Sequence, residues 1–379
     1  MVAESKWLNL LMSEMDTAED VRVFARNHYG GFDAKSLSRL VILGAAGEGR
    51  RLADICAERG IEVVAAIDDD PSMVGQKWPN CTVGPSSNLD LIDKDIPVVI
   101  ASHRTFNATK QLRSIGHTTV VPFMLLQMQD PSVFRPHMFY TGIVESLVAD
   151  KRLLLETAAR LADEKSVEVL DAAIGYRLTG DPVVFASVLE ELPYFPDDMY
   201  TFESSSVYVD GGAFDGDSVK SFVDRAGENL DAVFAFEPDP VTHKLLSDNF
   251  VHDSRIHAIN KGLYSGNAEF RFKADGTRGA LFDANGEQTI TVTSIDSFLA
   301  GGRADFIKLN IEGFEIDAIW GAERTIRDCA PNMAISAYHH PCDLWRVPDV
   351  VARINPNLEL FMRQQDGGII ETVLCTRAK

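Results

Sequence analysis

The chain has 379 residues, 45% hydrophobic and 24% charged, which suits two or three folded domains and excludes wholesale disorder. Its 36 Lys and Arg against 56 Asp and Glu give a net charge of −20, which argues against a nucleic-acid binder and against adhesion to an anionic membrane surface. No apolar run approaches the ~20 residues that span a bilayer, the opening MVAESKWLNLLMSEMD has no signal-peptide core, and five cysteines without a CxxC spacing predict neither a disulfide framework nor a metal site, so a cytoplasmic setting is expected.

Residues 1–35 read as a helical lead-in. From 36 the text changes to SRLVILGAAGEGRRLADICAERGIEVVAAIDDDP, a strand, glycine turn, helix and strand. Gly60 stands where a helix C-cap belongs. Further apolar runs at 96–102 and 117–123 complete a small parallel, doubly wound sheet, so 36–130 is expected to be a Rossmann-like domain of nucleotide-binding type. Residues 131–200 carry apolar positions three and four apart and predict two or three amphipathic helices. They end in ELPYFPDDMY, which suits a linker, a lid or a surface for a second copy of the chain. From 201 to 379 a second alternation begins. SVYVDGGAFDGDSVKSFV and DAVFAFEPDPVTHKLLSDNF each give strand, turn, helix. RIHAINKGLY is a third strand, and AEFRFKADGTRGALFDANGEQTITVTSI an inserted hairpin with turn signals at Asp275-Gly276 and Asn285-Gly286. DFIKLNIEGFEIDAIWGAERTI and NMAISAYHH add two strands, and an antiparallel pair around Asp366-Gly367-Gly368 closes the chain. The expected fold is α/β, two Rossmann-like doubly wound domains joined by a helical segment, with ligands at the carboxyl edges of the strands.

The two glycine turns want different ligands. The first, from Gly44 to Gly49, matches a dinucleotide GxGxxG pattern except that Ala46 stands at the middle glycine. With Arg50, Arg51 and Asp68 nearby, two readings stand: nucleotide-fold architecture retained without a bound dinucleotide, or a site for a nucleotide or nucleotide-sugar; a redox dinucleotide is not expected. The second, Asp210-Gly211-Gly212-Ala213-Phe214-Asp215-Gly216-Asp217, holds three carboxylates, where a pyrophosphate would meet like charge. A cationic cofactor is favoured, and S-adenosylmethionine carries a sulfonium and an ammonium. Asp210 can accept from the ammonium, Gly211 and Gly212 let the ligand approach the backbone, and Phe214 and Asp215 complete the loop. Glu237, at the end of the next strand before Pro238, can take both ribose hydroxyls. This pairing signals a class I methyltransferase fold for the second half.

The phrases VYVDGGAFDGDSV, FAFEPDP and DFIKLNIEGFEIDAIWGAERTI, followed by AISAYHHPCDLWRVPDVV, resemble the FkbM family of S-adenosylmethionine-dependent methyltransferases over about 206–376. The upstream part is similar to a Rossmann-like domain fused to some members. The resemblance implies O-methylation of a hydroxyl on a sugar or related small molecule, with a small-molecule or glycan acceptor as partner. The alternative is a non-catalytic, nucleotide-sugar-binding scaffold in glycan assembly. The family's Lys-x-Asp-x-Glu-Gly reads Lys308-Leu309-Asn310-Ile311-Glu312-Gly313 here, so Asn310 replaces the usual Asp and cannot be a carboxylate base. Glu312 or His339 is therefore expected to take the acceptor proton, with Lys308 and Asn310 orienting cofactor and acceptor. Tyr194, Phe195 and Pro196 are expected to pack an interface or to cover the site.

Overall fold

The computed structural model describes residues 5–79, 81–190, 194–196, 199–202, 206–272 and 288–379. The first sheet is parallel throughout. Its strands β1 (Arg39–Leu43), β2 (Glu62–Ile67), β3 (Val83–Gly84), β4 (Val98–Ile100) and β5 (Val120–Pro122) lie in the order β3-β2-β1-β4-β5. Val41, Ile42, Val98, Val99 and Val121 are fully buried, as continuous apolar runs must be when helices cover both faces. The helix Gly47–Arg59 ends on Gly60 in the left-handed region, as its sequence position predicts.

The second sheet has seven strands: β6 (Ser206–Gly211), β7 (Leu230–Phe236), β8 (Ile256–Ile259), β12 (Phe306–Leu309), β13 (Asn332–Ser336), β14 (Leu358–Gln364) and β15 (Thr372–Ala378). Their order is β14-β15-β13-β12-β6-β7-β8, parallel except for β15, which runs antiparallel to both neighbours. The chain-closing pair around Asp366-Gly367-Gly368 is therefore as expected. The stretch expected as one third strand divides into β8 and a short β9 (Gly262–Leu263), which joins β10 (Ala268–Phe272) and β11 (Gln288–Thr293) in a separate small sheet. β10 and β11 pair antiparallel, as a hairpin requires; its turn signals at Asp275-Gly276 and Asn285-Gly286 lie outside the described residues.

The helical segment is embedded in the molecule. Helix Glu164–Thr179 is buried over most of its length. It receives the lead-in helix Lys6–Glu14 through Asp171, whose Oδ1 accepts the N–H groups of Trp7 and Leu8 at 2.9 and 2.8 Å. On its other side the segment covers β14, the edge strand. Ala162 N–H donates to Leu360 O at 2.8 Å and Glu190 N–H to Gln364 O at 2.9 Å, so the edge does not present a free ladder. Thr105 Oγ1 also donates to Gly367 O at 3.2 Å, and a Cβ on Gly368 would fall 2.4 Å from His103 O. The first half thus packs directly on the β14–β15 loop, and the carboxyl edges of the two sheets meet across a common space.

Candidate functional site

A cavity of about 390 Å³ opens at the carboxyl ends of β6, β7 and β12. One wall is the turn after β6. Gly212 has φ +74, and a Cβ there would sit 1.9 Å from Asn310 O, so only glycine lets this turn lie against the loop after β12. Lys308 secures the turn from beneath: its Nζ donates to Gly212 O at 2.7 Å and stands 2.8 Å from Asp210 Oδ1. The other Asp210 oxygen accepts from Tyr208 Oη at 2.8 Å and from Ser218 Oγ at 2.6 Å.

These contacts correct part of the sequence reading. Asp210 is fully buried and its carboxylate is engaged by protein, so it does not face the cavity as an acceptor for an ammonium. Gly211 lies inside β6, where a Cβ would press on Leu263 and Leu309, both 2.9 Å away. Asp215 lines a different hollow, with Lys220 and Asn249. Gly212, Phe214, Glu237, Pro238, Lys308, Asn310, Glu312 and His339 do line the cavity.

Glu237 follows the last residue of β7. Its Oε2 accepts the Phe214 N–H at 3.0 Å and its Oε1 the Asp239 N–H at 2.9 Å, so both oxygens are fixed, each with a lone pair to offer a vicinal diol. Burial pushes its carboxyl above the usual range, against the pull of those amides.

The loop after β12 is held by Glu315. Its Oε1 accepts the Ile311 N–H at 2.7 Å and its Oε2 the Gly313 N–H at 3.1 Å. Between these anchored amides Glu312 takes φ +56, a strained conformation for a non-glycine residue, and its side chain reaches the cavity 29% exposed. Burial raises the Glu312 carboxyl to about 6, while His339 opposes the rise. His339, after β13, is buried with Nδ1 2.9 Å from Glu315 Oε1, too oblique for an aligned hydrogen bond, and Nε2 3.7 Å from Glu312 Oε2. Burial alone would discharge this imidazole, but Glu315, then Glu312 and Asp343, raise it to about 9. At neutral pH His339 therefore carries its proton, which disfavours the expected role as a proton acceptor. Asn310 donates from Nδ2 to Tyr194 Oη at 2.6 Å, and its Oδ1 is buried without a partner. Tyr194 lines the cavity, whereas Phe195 packs into the core against Tyr208, Phe222 and Phe306.

The opposite wall was not foreseen. His103, Arg104, His137, Met138 and Phe139 reach the same cavity from the first half. His103 and Arg104 follow β4, which neighbours β1 where strand order reverses. The first polar residues beyond an apolar strand at such a switch point were the available signal.

The first glycine turn is built differently. Asp68 accepts the N–H of Ala45 at 2.6 Å and of Asp70 at 2.8 Å. Arg51 pairs with Glu48 at 2.6 Å and Arg50 with Asp54 at 3.3 Å. A Cβ on Gly49 would fall 1.8 Å from Gly44 O, so Gly49 serves helix–strand packing. Among the described residues, no group of three or more His, Cys, Asp or Glu is placed to hold a metal ion, and no helix is long and apolar enough to cross a membrane.

The seven-stranded order with its antiparallel β15, and a cavity at the switch between β6 and β12, define a Rossmann-like methyltransferase fold. The methyltransferase FkbM domain family matches residues 210–366. A methyltransferase FkbM from Methylobacillus flagellatus is 23% identical, with a TM-score of 0.73 over 98% of this chain and 97% of that one, so the fold extends through both halves. An rRNA methylase from Clostridium thermocellum aligns at 10% identity and TM-score 0.33 over 52% of this chain and 92% of its own. Aeropyrum pernix fibrillarin, solved with S-adenosyl-L-methionine, aligns at 9% and 0.32 over 47% and 68%. No curated protein matches the chain.

Proposed function

We propose that the protein is an S-adenosylmethionine-dependent O-methyltransferase acting on a hydroxyl of a sugar or related small molecule. The observation that carries this reading is the cavity itself, where fixed carboxylates for a cationic cofactor adjoin one carboxylate tuned to accept a proton. The cofactor fits the donor set. Glu237 offers two oxygens for ribose hydroxyls, and the unpartnered Asn310 Oδ1 offers an acceptor beside the Gly212 turn. Asp217, Glu237, Asp239 and Glu312 give this side the negative character that a sulfonium and an ammonium require.

When bound, the cofactor supplies an electrophilic methyl group, whose C–S bond breaks as the new C–O bond forms. The acceptor hydroxyl proton passes to the Glu312 carboxylate, whose value near 6 leaves it ionised at neutral pH yet basic enough to help. His339, held as an imidazolium by Glu315, keeps Glu312 from rising further. Lys308 acts as a positioning residue: it carries no free ammonium into the cavity but fixes the turn against which the cofactor lies. Asn310, held by its bond to Tyr194, orients through its Oδ1 and takes no proton. Five cysteines with no CxxC spacing suit a reducing, cytoplasmic setting for this chemistry.

The test is label transfer from S-adenosyl-[methyl-³H]methionine to a panel of hydroxylated acceptors. Incorporation that needs Glu312 supports the reading. Binding of the cofactor's demethylated product without any transfer would leave a methyltransferase fold used only for binding.

A further inference from the structure

A methyltransferase site must hold donor and acceptor together, with the acceptor oxygen in line behind the methyl group. If the donor lies along Gly212, Phe214 and Glu237, the space facing it is bounded by residues outside the matched domain. Met138 reaches within 3.3 Å of where a Cβ on Gly313 would be, and the Phe139 ring is centred 5.8 Å from that of His339. The first half therefore stands directly over the loop that carries Glu312.

We propose that this first-half wall is the acceptor subsite: the paired rings of His103 and His137, standing on Phe139, hold an uncharged, hydroxyl-bearing ring compound and present one of its hydroxyls to Glu312. The inference rests on the methyl-transfer reading and deepens it. The two imidazoles are centred 5.0 Å apart, and each packs on Phe139, at 5.0 and 4.4 Å. In each ring Nδ1 is occupied from behind. His103 Nδ1 is 2.9 Å from Tyr140 Oη, and His137 Nδ1 accepts the Phe139 N–H at 3.4 Å. A neutral imidazole accepting at Nδ1 carries its proton on Nε2, so His137 offers an N–H donor to the cavity, and His103 does the same when Tyr140 donates to it.

Both rings are neutral. Burial, reinforced by His137, pulls His103 down to about 4, and burial likewise lowers His137 against the opposing charge of Glu48. The two imidazoles thus donate hydrogen bonds without offering charge. Arg104 is shared between Asp366 at 3.3 Å and Glu371 at 3.7 Å, so it is not a free cation for a phosphate. A cationic amine would meet N–H donors instead of acceptors. An uncharged polyol ring satisfies both sides: its oxygens accept from the imidazoles, its apolar face lies on Phe139 and Met138, and its hydroxyl donates to Glu312.

The experiment is saturation-transfer NMR on the full chain saturated with S-adenosylhomocysteine. The probes are methyl α-D-glucopyranoside and methyl α-L-rhamnopyranoside, with glucose 1-phosphate and tyramine as charged controls. A glycoside should bind, and His103→Ala and His137→Ala should each weaken it about 2–10-fold, the effect of losing one neutral hydrogen bond. S-adenosylhomocysteine affinity should stay unchanged in both, which also shows that they fold. His137→Gln, which keeps an N–H donor, should retain more affinity than His137→Ala. Three results would overturn the proposal while sparing the donor site: no glycoside binding, binding indifferent to both substitutions, or tighter binding of a charged probe. Failure of the wild-type chain to bind S-adenosylhomocysteine would overturn both readings together.

Discussion

Both sheets begin with a strand, a glycine turn and a helix, and in both an acid at the end of the second strand steadies the turn. Asp68 accepts the Ala45 N–H and Glu237 accepts the Phe214 N–H. The difference lies in what faces each turn. Around the first, Arg51 is paired with Glu48, Arg50 with Asp54, and Gly49 closes on Gly44. The second opens on a cavity whose far wall comes from the other half. A glycine turn at a sheet edge therefore marks a place where a ligand can lie. Whether one does depends on which polar groups nearby remain unengaged and on a second wall.

The largest effects are expected where the second turn is braced. Lys308 and Asp210 are a buried pair at 2.8 Å, and Lys308→Met strands the Asp210 carboxylate. Urea unfolding should show a loss of about 3–5 kcal/mol, typical of breaking one side of a buried ion pair. Little change would mean that this turn is no more tightly built than the first. Glu312→Gln leaves the fold intact and should lower kcat by ~10²–10⁴, typical of a lost general base. In the wild type the rate should rise with pH through about 6, as Glu312 ionises. A rate flat from pH 5 to 7 would remove Glu312 as base.

The next expected effect belongs to His339. Its folded value is raised to about 9 from the ordinary 6.5, so its stabilising charge is fully present below about 6.5 and is lost as pH rises through 9. Thermal unfolding of the wild type should weaken over that window by at most about 1.4 kcal/mol per pH unit, and His339→Gln should lack this component. Imidazole ¹⁵N shifts should show the ring protonated at pH 7.5. Glu315→Gln should make it neutral there and also loosen the loop at Glu312. The smallest effect is predicted in the first turn. Asp68→Asn should cost ~1 kcal/mol of stability, about one hydrogen bond, and leave cofactor binding untouched.

The longer strands in chain order and the two glycine turns were legible because apolar runs, glycines and a strand-ending acid are local signals, whereas the two-residue strands β3 and β9 carry no apolar run long enough to read. The terminal hairpin followed from Asp366-Gly367-Gly368. The role of Asp210 was not legible: Tyr208 sits two residues before it on β6, but Ser218 reaches it only when the following helix packs back on the strand, and Lys308 only when β6 and β12 pair. His339 reads as a neutral base in isolation, and its charge is set by Glu315, brought to it across the fold. His103 and His137 carry no motif and lie more than 170 residues before Glu312, so nothing in their own stretch announces a shared cavity. The covering of β14 by the helical segment is likewise a long-range pairing, made by backbone groups that carry no sequence signature.

Titration calorimetry with S-adenosylhomocysteine, and with NAD in parallel, on the wild type, Glu237→Ala and Asp68→Ala addresses the contrast between the two turns most directly. One molecule of S-adenosylhomocysteine should bind per chain. Glu237→Ala should weaken it by about 1.5–3 kcal/mol, the range for hydrogen bonds to a charged group, Asp68→Ala should leave it unchanged, and NAD should give no heat. Binding that survives Glu237→Ala but is lost in Asp68→Ala, or stoichiometric binding of NAD, would contradict the assignment of the cofactor to the second turn.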